Sequence, residues 1–277
     1  MSQSLHDTGF AVIVNHPIPV DLVLAVYREW EDFFESDAKH NYRYSIDGQD
    51  GYFAAPDLAI NRDAAPARDN KEFFHVFPWG QYPAEVSDAA ARYRLIAMEL
   101  AATLLTWVEE NTPRNVSTNF SMPLSSMLSG GEKNTLLRIL RYPPVTGTEA
   151  AVWLRAGEHR DTNLLTLLAS ATEPGLQVRV ADSQWLDVPW DVGSVTVNAG
   201  VMLELVSDGY YPSATHRVAV PREADQAARP RMAMPLFLHP ADHVVLDGAR
   251  TAAQFLRQRV QASYAPVSPG SVSKPVT

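Results

Sequence analysis

The 277-residue chain contains no cysteine, so neither a disulfide nor a thiolate metal site is available to it. Basic residues are in the minority: 23 Lys and Arg against 32 Asp and Glu leave a net charge of −9. No run of the sequence clusters the lysines and arginines that phosphate binding needs, so nucleic acid is not expected as a partner. Long apolar runs are also missing, and none approaches the length that spans a bilayer. The amino terminus has no basic region followed by an apolar stretch. These absences predict a soluble, cytoplasmic protein with no membrane partner. What remains is ordinary for a globular chain: 46% apolar residues and enough length to bury a substantial core. That length suits one large β domain or two small ones, and no internal repeat divides it.

The sequence is organised around Gly157 to His216. It opens with Gly157-Glu158-His159-Arg160-Asp161-Thr162-Asn163 and the apolar run Leu164 to Leu168. It closes with Pro212-Ser213-Ala214-Thr215-His216-Arg217-Val218. Two ligand-type residues two apart, then a lone histidine about 55 positions later, match the spacing of a two-histidine, one-carboxylate iron site. In a strand, residues i and i+2 point to one face, so His159 and Asp161 can grip a metal from one side. His216, in a segment of strand character, supplies the third ligand. Three ligands on one face leave open positions for O2 and a co-substrate on Fe(II). A His-x-Asp pair alone arises often by chance, and the surrounding blocks supply the remaining weight.

Those blocks are Pro174-Gly175-Leu176-Gln177-Val178, Trp185-Leu186-Asp187-Val188-Pro189 and Gly193 to Asn198. Beyond His216 come Arg231-Met232-Ala233 and Phe237-Leu238-His239-Pro240. In this order they resemble the H-x-D, P-G-L-Q-V, W-x-x-V-P, V-x-N-x-G, S-x-x-H-R-V and R-x-S blocks of the isopenicillin N synthase-like family of non-haem Fe(II), 2-oxoglutarate-dependent oxygenases. The continuous motif order favours a single oxygenase domain over 1–264. Within it we expect a helical part over about 1–130, a core over about 134–245 and a final helix over about 249–264. A disordered tail would follow over 265–277.

Taken in order, Thr8 to Pro17 reads as a strand bounded by proline and resembles the family's G-F-x-x-x-x-N-H segment, before which relatives carry further residues including a strand. His16 could offer a metal ligand, though a structural role is the commoner one. A helix is predicted over Val20 to Phe34 from apolar residues at three- and four-residue steps, with Pro19 at its start. Asn41 to Arg68 reads as a long polar loop, of the kind that often serves as a lid, and contains Gly51-Tyr52-Phe53, similar to a family segment near the active-site mouth. Lys71 to Val76 is also similar to a family block and returns the chain to the sheet. A second helix, about Ala84 to Glu110, places Ala89, Tyr93, Ile96, Leu100, Leu104, Trp107 and Val108 on one side. Asn115 to Gly131 carries little signal beyond a short helix. Thr135 to Pro144 reads as a strand with Arg138, Leu140 and Tyr142 on one face. Groups there could hold a carboxylate, but for Arg138 and Arg141 a surface salt bridge is an equal alternative. From Trp153 onward, short strands at regular intervals, with turn signals such as Glu173-Pro174-Gly175, Ala181-Asp182-Ser183 and Asp208-Gly209, indicate an antiparallel barrel or jelly roll. The final helix carries Ala253, Leu256, Val260 and Tyr264 on one side.

The resemblance implies a mainly β fold with flanking helices and a double-stranded β-helix (jelly-roll) core holding iron at one end. It implies Fe(II) on His159, Asp161 and His216, with 2-oxoglutarate and O2 as co-substrates. Arg231 has the family spacing for the arginine that takes the distal carboxylate of 2-oxoglutarate through paired hydrogen bonds, and Tyr142 is a second candidate. Arg229 shares its strand face but not its spacing. Two departures stand out: Ala233 replaces the family serine, and Val201 stands where many relatives have an acid. Three functions are therefore carried forward. One is a 2-oxoglutarate-dependent oxygenase hydroxylating or desaturating a small molecule. Another is a 2-oxoglutarate-independent oxidase of isopenicillin N synthase type. The third is a non-catalytic β-barrel binding protein.

Overall fold

Along most strands, side chains go alternately to two different destinations, and that alternation builds the molecule. The computed structural model describes residues 1–45, 48–54, 70–145, 155–180 and 184–264. In chain order the elements are α1 (Ser2–Thr8), β1 (Phe10–Ile13), α2 (Val20–Glu35), β2 (Gly51–Ala54), β3 (Glu72–Val76), α3 (Ala89–Glu110), α4 (Arg114–Ser117), β4 (Leu136–Tyr142), β5 (Ala156–His159) and β6 (Leu165–Ala169). There follow β7 (Leu176–Arg179), β8 (Trp185–Asp187), β9 (Val195–Ala199), α5 (Val201–Val206), β10 (His216–Val218), α6 (Ala224–Ala227), β11 (Arg231–Ala233), β12 (Pro235–Leu238) and α7 (Ala252–Tyr264). The larger sheet runs β1-β9-β6-β12-β4-β3-β2, with β11 also on β4; the smaller runs β5-β10-β7-β8. The pairings within both are antiparallel.

On β4, Leu137 and Ile139 join the core formed with α2 and α3, while Leu140 and Tyr142 face a second cluster with Phe53, Phe73, Val218 and Ala233. β6 repeats the scheme, with Leu165 and Leu167 toward the helices and Thr166 and Leu168 on the cavity. Helices therefore cover one face of the larger sheet, and its other face opens onto the cavity. The fully buried Trp30 of α2 packs edge-on against Phe33, Phe74 and Tyr82, which pins the helix to the sheet. No helix among the described residues is long and apolar enough to cross a membrane.

Several boundaries differ from the sequence reading. Residues Ser2–Thr8 form a helix, and the strand after it stops at Ile13 because Asn15 takes a left-handed backbone, φ 57°. Within the expected loop from Asn41, Gly51–Ala54 pairs with β3 as a strand; 46–47 and 55–69 lie outside the described residues. α3 starts at Ala89, not Ala84, since the Ser87 hydroxyl accepts the Ala89 amide and itself bonds Glu29 of α2. Trp107, expected on the buried side of α3, is half-exposed, and Leu105 is buried instead. α7 starts at Ala252, held off by the bridge between Val245 and Thr251, and buries Ala252 and Phe255 where Ala253 and Leu256 were expected. Val260, Tyr264 and the tail from 265 lie outside the described side chains, as do Trp153 and Ala181-Asp182-Ser183 outside the described residues.

Candidate metal centre and pocket

Strand register brings the two candidate histidine ligands together. β10 pairs with β5 so that His216 stands opposite His159, with ring centroids 4.3 Å apart. Asp161 is not in the strand as expected but two residues past its end, in the turn that leads to β6. That turn is held by the segment after β9. The Val201 amide donates to the Asp161 carbonyl at 2.8 Å, and Gly200 lies so close to Asn163 that an added Cβ would sit 2.0 Å from its carbonyl oxygen. Only glycine permits that approach. The Asp161 carboxylate is fixed in turn: Oδ2 accepts from Thr166 Oγ1 at 2.6 Å and from Asn198 Nδ2 at 2.8 Å. Oδ1 faces the two imidazoles, 3.8 Å from His159 Nε2 and 3.7 Å from His216 Nε2.

Those spacings are too long for hydrogen bonds. The Nδ1 atoms of His159 and His216 lie 2.8 and 3.1 Å from the Gly157 and Ala214 carbonyls. A ring that donates from Nδ1 keeps an acceptor at Nε2, and each Nε2 points to the same place. The three ligand atoms lie within 4.8 Å of one another, and no anionic sulfur or second carboxylate joins them among the described residues. Two neutral imidazoles and one carboxylate on one side suit Fe(II) with open positions. Burial, then the adjacent His216, push the His159 ring below its usual pKa, with Asp161 pulling the other way. Burial by itself would raise Asp161. The two imidazoles and the bonds from Thr166 and Asn198 outweigh it, so the carboxyl stays below its usual value and remains an anion.

The triad opens into a pocket of about 570 Å³, counting its mouth, between the two sheets. Tyr142, Arg231 and Ala233 line it at one end of β4 and Arg138 at the other, with Lys71 also on the wall. Arg231 is 2% exposed; its Nε donates to the Glu173 carbonyl at 2.8 Å, and its guanidinium lies 5.2 Å from the Tyr142 ring centre. Burial lowers its pKa, opposed by Tyr142, but an arginine remains charged. Arg229 does not share that strand: it follows α6, is more than half exposed, and pairs with Glu173 and Asp225. Arg141 takes the salt-bridge alternative, with Glu35 and Glu72 at 2.9 Å each, whereas Arg138 lines the pocket. His16 serves the local chain, accepting the Ile18 amide at 3.2 Å.

Four side chains at this site carried no assigned role in the sequence reading. Thr166 and Asn198 orient Asp161; Thr166 showed itself only as a polar residue in an apolar strand, and Asn198 only as the asparagine of the V-x-N-x-G block, with no role attached. Lys71 stands just before β3. Arg155, fully buried, donates Nη2 to the Arg229 carbonyl at 2.9 Å, while its Nε and Nη1 have no partner among the described residues. Burial, then repulsion from Arg231, lower its pKa to about 10.

Comparison with known proteins agrees with this geometry. The model of the 2OG-Fe(II) oxygenase superfamily matches residues 133–240, which include the triad and Arg231. A flavonol synthase of Crocosmia x crocosmiiflora is 26% identical over 95% of this chain and 77% of its own length. Among solved structures, a candidate oxygenase of Shewanella oneidensis is 43% identical, with 94% of this chain and 93% of that one covered and a TM-score of 0.83. A Neurospora crassa protein solved in complex with alpha-KG shares the fold at 22% identity and a TM-score of 0.77, over 94% of this chain and 88% of its own. The chain belongs to the 2OG-Fe(II) oxygenase superfamily and is a 2-oxoglutarate-dependent dioxygenase on a jelly-roll core.

Proposed function

We propose that His159, Asp161 and His216 hold the Fe(II), and that Arg231, with Tyr142 beside it, binds the distal carboxylate of 2-oxoglutarate. The observation that carries this reading is the pairing of a preset donor triad with one buried arginine at the end of the same pocket. When bound, Fe(II) with 2-oxoglutarate and O2 would supply the oxidising power to hydroxylate a C–H bond or to desaturate a C–C bond, with 2-oxoglutarate converted to succinate and CO2. The protein's part is to position and to exclude water. The Gly157 and Ala214 carbonyls set the ring tautomers, and Thr166 and Asn198 keep one carboxylate oxygen occupied so that the other faces the ion.

Arg231 offers a planar fork that a carboxylate matches with two parallel bonds, and its burial makes an unmatched guanidinium costly. Ala233 contributes no hydroxyl there; Tyr142 is the polar neighbour that remains. A net charge of −9 and a pocket enclosed between sheets favour a small molecule over nucleic acid as substrate. The test is anaerobic titration of the Fe(II) protein with 2-oxoglutarate. A visible charge-transfer band that saturates is expected, and its loss in Arg231→Ala but not Arg229→Ala. Absence of the band at millimolar 2-oxoglutarate would sink the proposal.

A further inference from the structure

Among the described residues, the Arg231 end of the pocket gathers more positive charge than its own acids neutralise. Arg155, Arg229 and Arg231 meet there, and Glu173 is the carboxylate that acts on all three. Glu173 is already paired with Arg229 at 3.6 Å, and Arg229 also has the exposed Asp225 at 3.7 Å. The two buried arginines are bonded instead through main-chain carbonyls, that of Glu173 for Arg231 and that of Arg229 for Arg155.

Arg155 reaches this end from the other sheet. It stands just before β5, whose Ala156 lines the pocket, and its side chain crosses to the Arg229 carbonyl at 2.9 Å, two residues before Arg231. Two residues of chain span at most about 7 Å, so the guanidinium of Arg155 is tied close to the start of β11. Arg155 is fully buried, and its Nε and Nη1 have no hydrogen-bond partner. A buried guanidinium with two unsatisfied nitrogens is costly, and a second arginine nearby adds repulsion. Burial, then Arg231, depress its pKa accordingly, yet the group stays charged near neutral pH. Arg155 does not line the pocket, so it acts on a ligand there through its field and through Arg231, not by contact.

We infer that Arg155 is a positioning residue for the co-substrate: a second buried charge behind Arg231 that draws the distal carboxylate of 2-oxoglutarate to that end and favours a 2-oxo diacid over a 2-oxo monoacid. The inference rests on Arg231 being the co-substrate anchor. A carboxylate bound at Arg231 offsets the repulsion between the two arginines, and this gain exists for no ligand that lacks it. Ala233 fits the same reading, because with no hydroxyl beside Arg231 the anchor leans on charge.

The test is anaerobic titration of the Fe(II) protein with 2-oxoglutarate and with 2-oxovalerate, which has the same carbon chain and a methyl group in place of the distal carboxylate. Arg155→Met should weaken 2-oxoglutarate about tenfold, the scale of one unit charge acting from several ångströms in a buried site. 2-Oxovalerate should behave alike in variant and wild type, in its Kd or in its failure to saturate. Arg155→Lys should keep most of the 2-oxoglutarate affinity. A packing role predicts the reverse order, since methionine fills the space without a charge to bury. Should Arg155→Met not fold, Arg155→Gln removes the charge and keeps a donor for the Arg229 carbonyl, with the same expectation. Calorimetric Mn(II) affinity should match the wild type in each variant, showing fold and triad intact. Unchanged 2-oxoglutarate binding in the uncharged variant, a lysine variant weaker than it, equal loss of 2-oxovalerate, or loss of Mn(II) would each overturn the inference. A wild-type charge-transfer band that never forms, or that survives Arg231→Ala, would strike instead at the Arg231 reading.

Discussion

Thr166→Val tests whether the metal centre depends on residues that never touch the metal. Thr166 is 3% exposed, and its hydroxyl hydrogen-bonds Asp161 Oδ2 at 2.6 Å while accepting from Asn163 Nδ2 at 3.0 Å. Valine keeps the shape and deletes the donor. A hydrogen bond to a charged group contributes about 1.5–3 kcal/mol. Asn198 still holds the same oxygen at 2.8 Å, so the carboxylate loses part of its restraint and does not fall free. Loss of such an outer partner weakens metal binding by about 10–100-fold. We expect that range for Fe(II), read anaerobically with Mn(II) as a calorimetric stand-in, and a larger loss when Asn198→Leu is added. The Asp161 carboxyl should titrate nearer its ordinary value in the variant, so metal release on acidification should begin at higher pH. Wild-type affinity in both single variants, with unchanged circular dichroism, would refute the claim that these bonds orient the ligand.

Alanine at His159, Asp161 or His216 should abolish both iron retention and substrate oxidation with the fold intact; iron content after gel filtration checks it, and near-normal iron in any one removes that residue from the triad. Arg231→Ala should weaken 2-oxoglutarate by about ten- to a hundredfold, from about 1.5–3 kcal/mol, while the exposed Arg229→Ala changes little; equal effects mean the wrong arginine. Ala233→Ser adds one hydroxyl beside Arg231 and should tighten 2-oxoglutarate about two- to tenfold, for about 0.5–1.5 kcal/mol, without changing the product. His75 gives a pH signature. Its folded pKa is well below 6.5, so below about pH 6.5 the unfolded chain binds a proton that the folded one does not. Stability is then full above that pH and falls as pH drops, by at most about 1.4 kcal/mol per unit. Urea unfolding between about pH 7 and 5 should show a shallower fall in His75→Gln, and identical slopes would discount His75.

The elements with strong periodicity were legible. α2 follows its apolar stripe to within a residue, and β4 is where alternating residues and the prolines after it put it. The misplaced boundaries share a cause, which is a partner distant in sequence. Ala84 to Ser87 has helical composition, but Glu29 holds Ser87 and its neighbours in a turn. Gly51–Ala54 looks like loop because strand β3, some twenty residues on, is what makes it a strand. On α7 the apolar pattern admits two faces one residue apart, and the Val245–Thr251 bridge selects between them.

The proposed iron ligands were suggested by residue type and by the H-x-D pair, and it is the pairing of β10 with β5 that sets His216 opposite His159 across the long stretch between them. Their support was not. Thr166 and Asn198 are 5 and 37 positions from Asp161, and each reads as a polar interruption in a strand until β6 and β9 are paired, Thr166 opposite Asn198. Arg138 and Arg141 show the limit most clearly. Alternation along β4 separates them, since Arg138 shares a face with Tyr142 and Arg141 does not. What alternation leaves open is what each face meets. One face meets α2, whose Glu35 reaches Arg141 at 2.9 Å, and Glu72 completes the pair from the next strand. The other meets the pocket, Phe73 and Phe237. Two arginines three residues apart thus divide between holding the fold and facing the pocket, and it is the packing of a helix and a neighbouring strand on one side of the sheet that divides them.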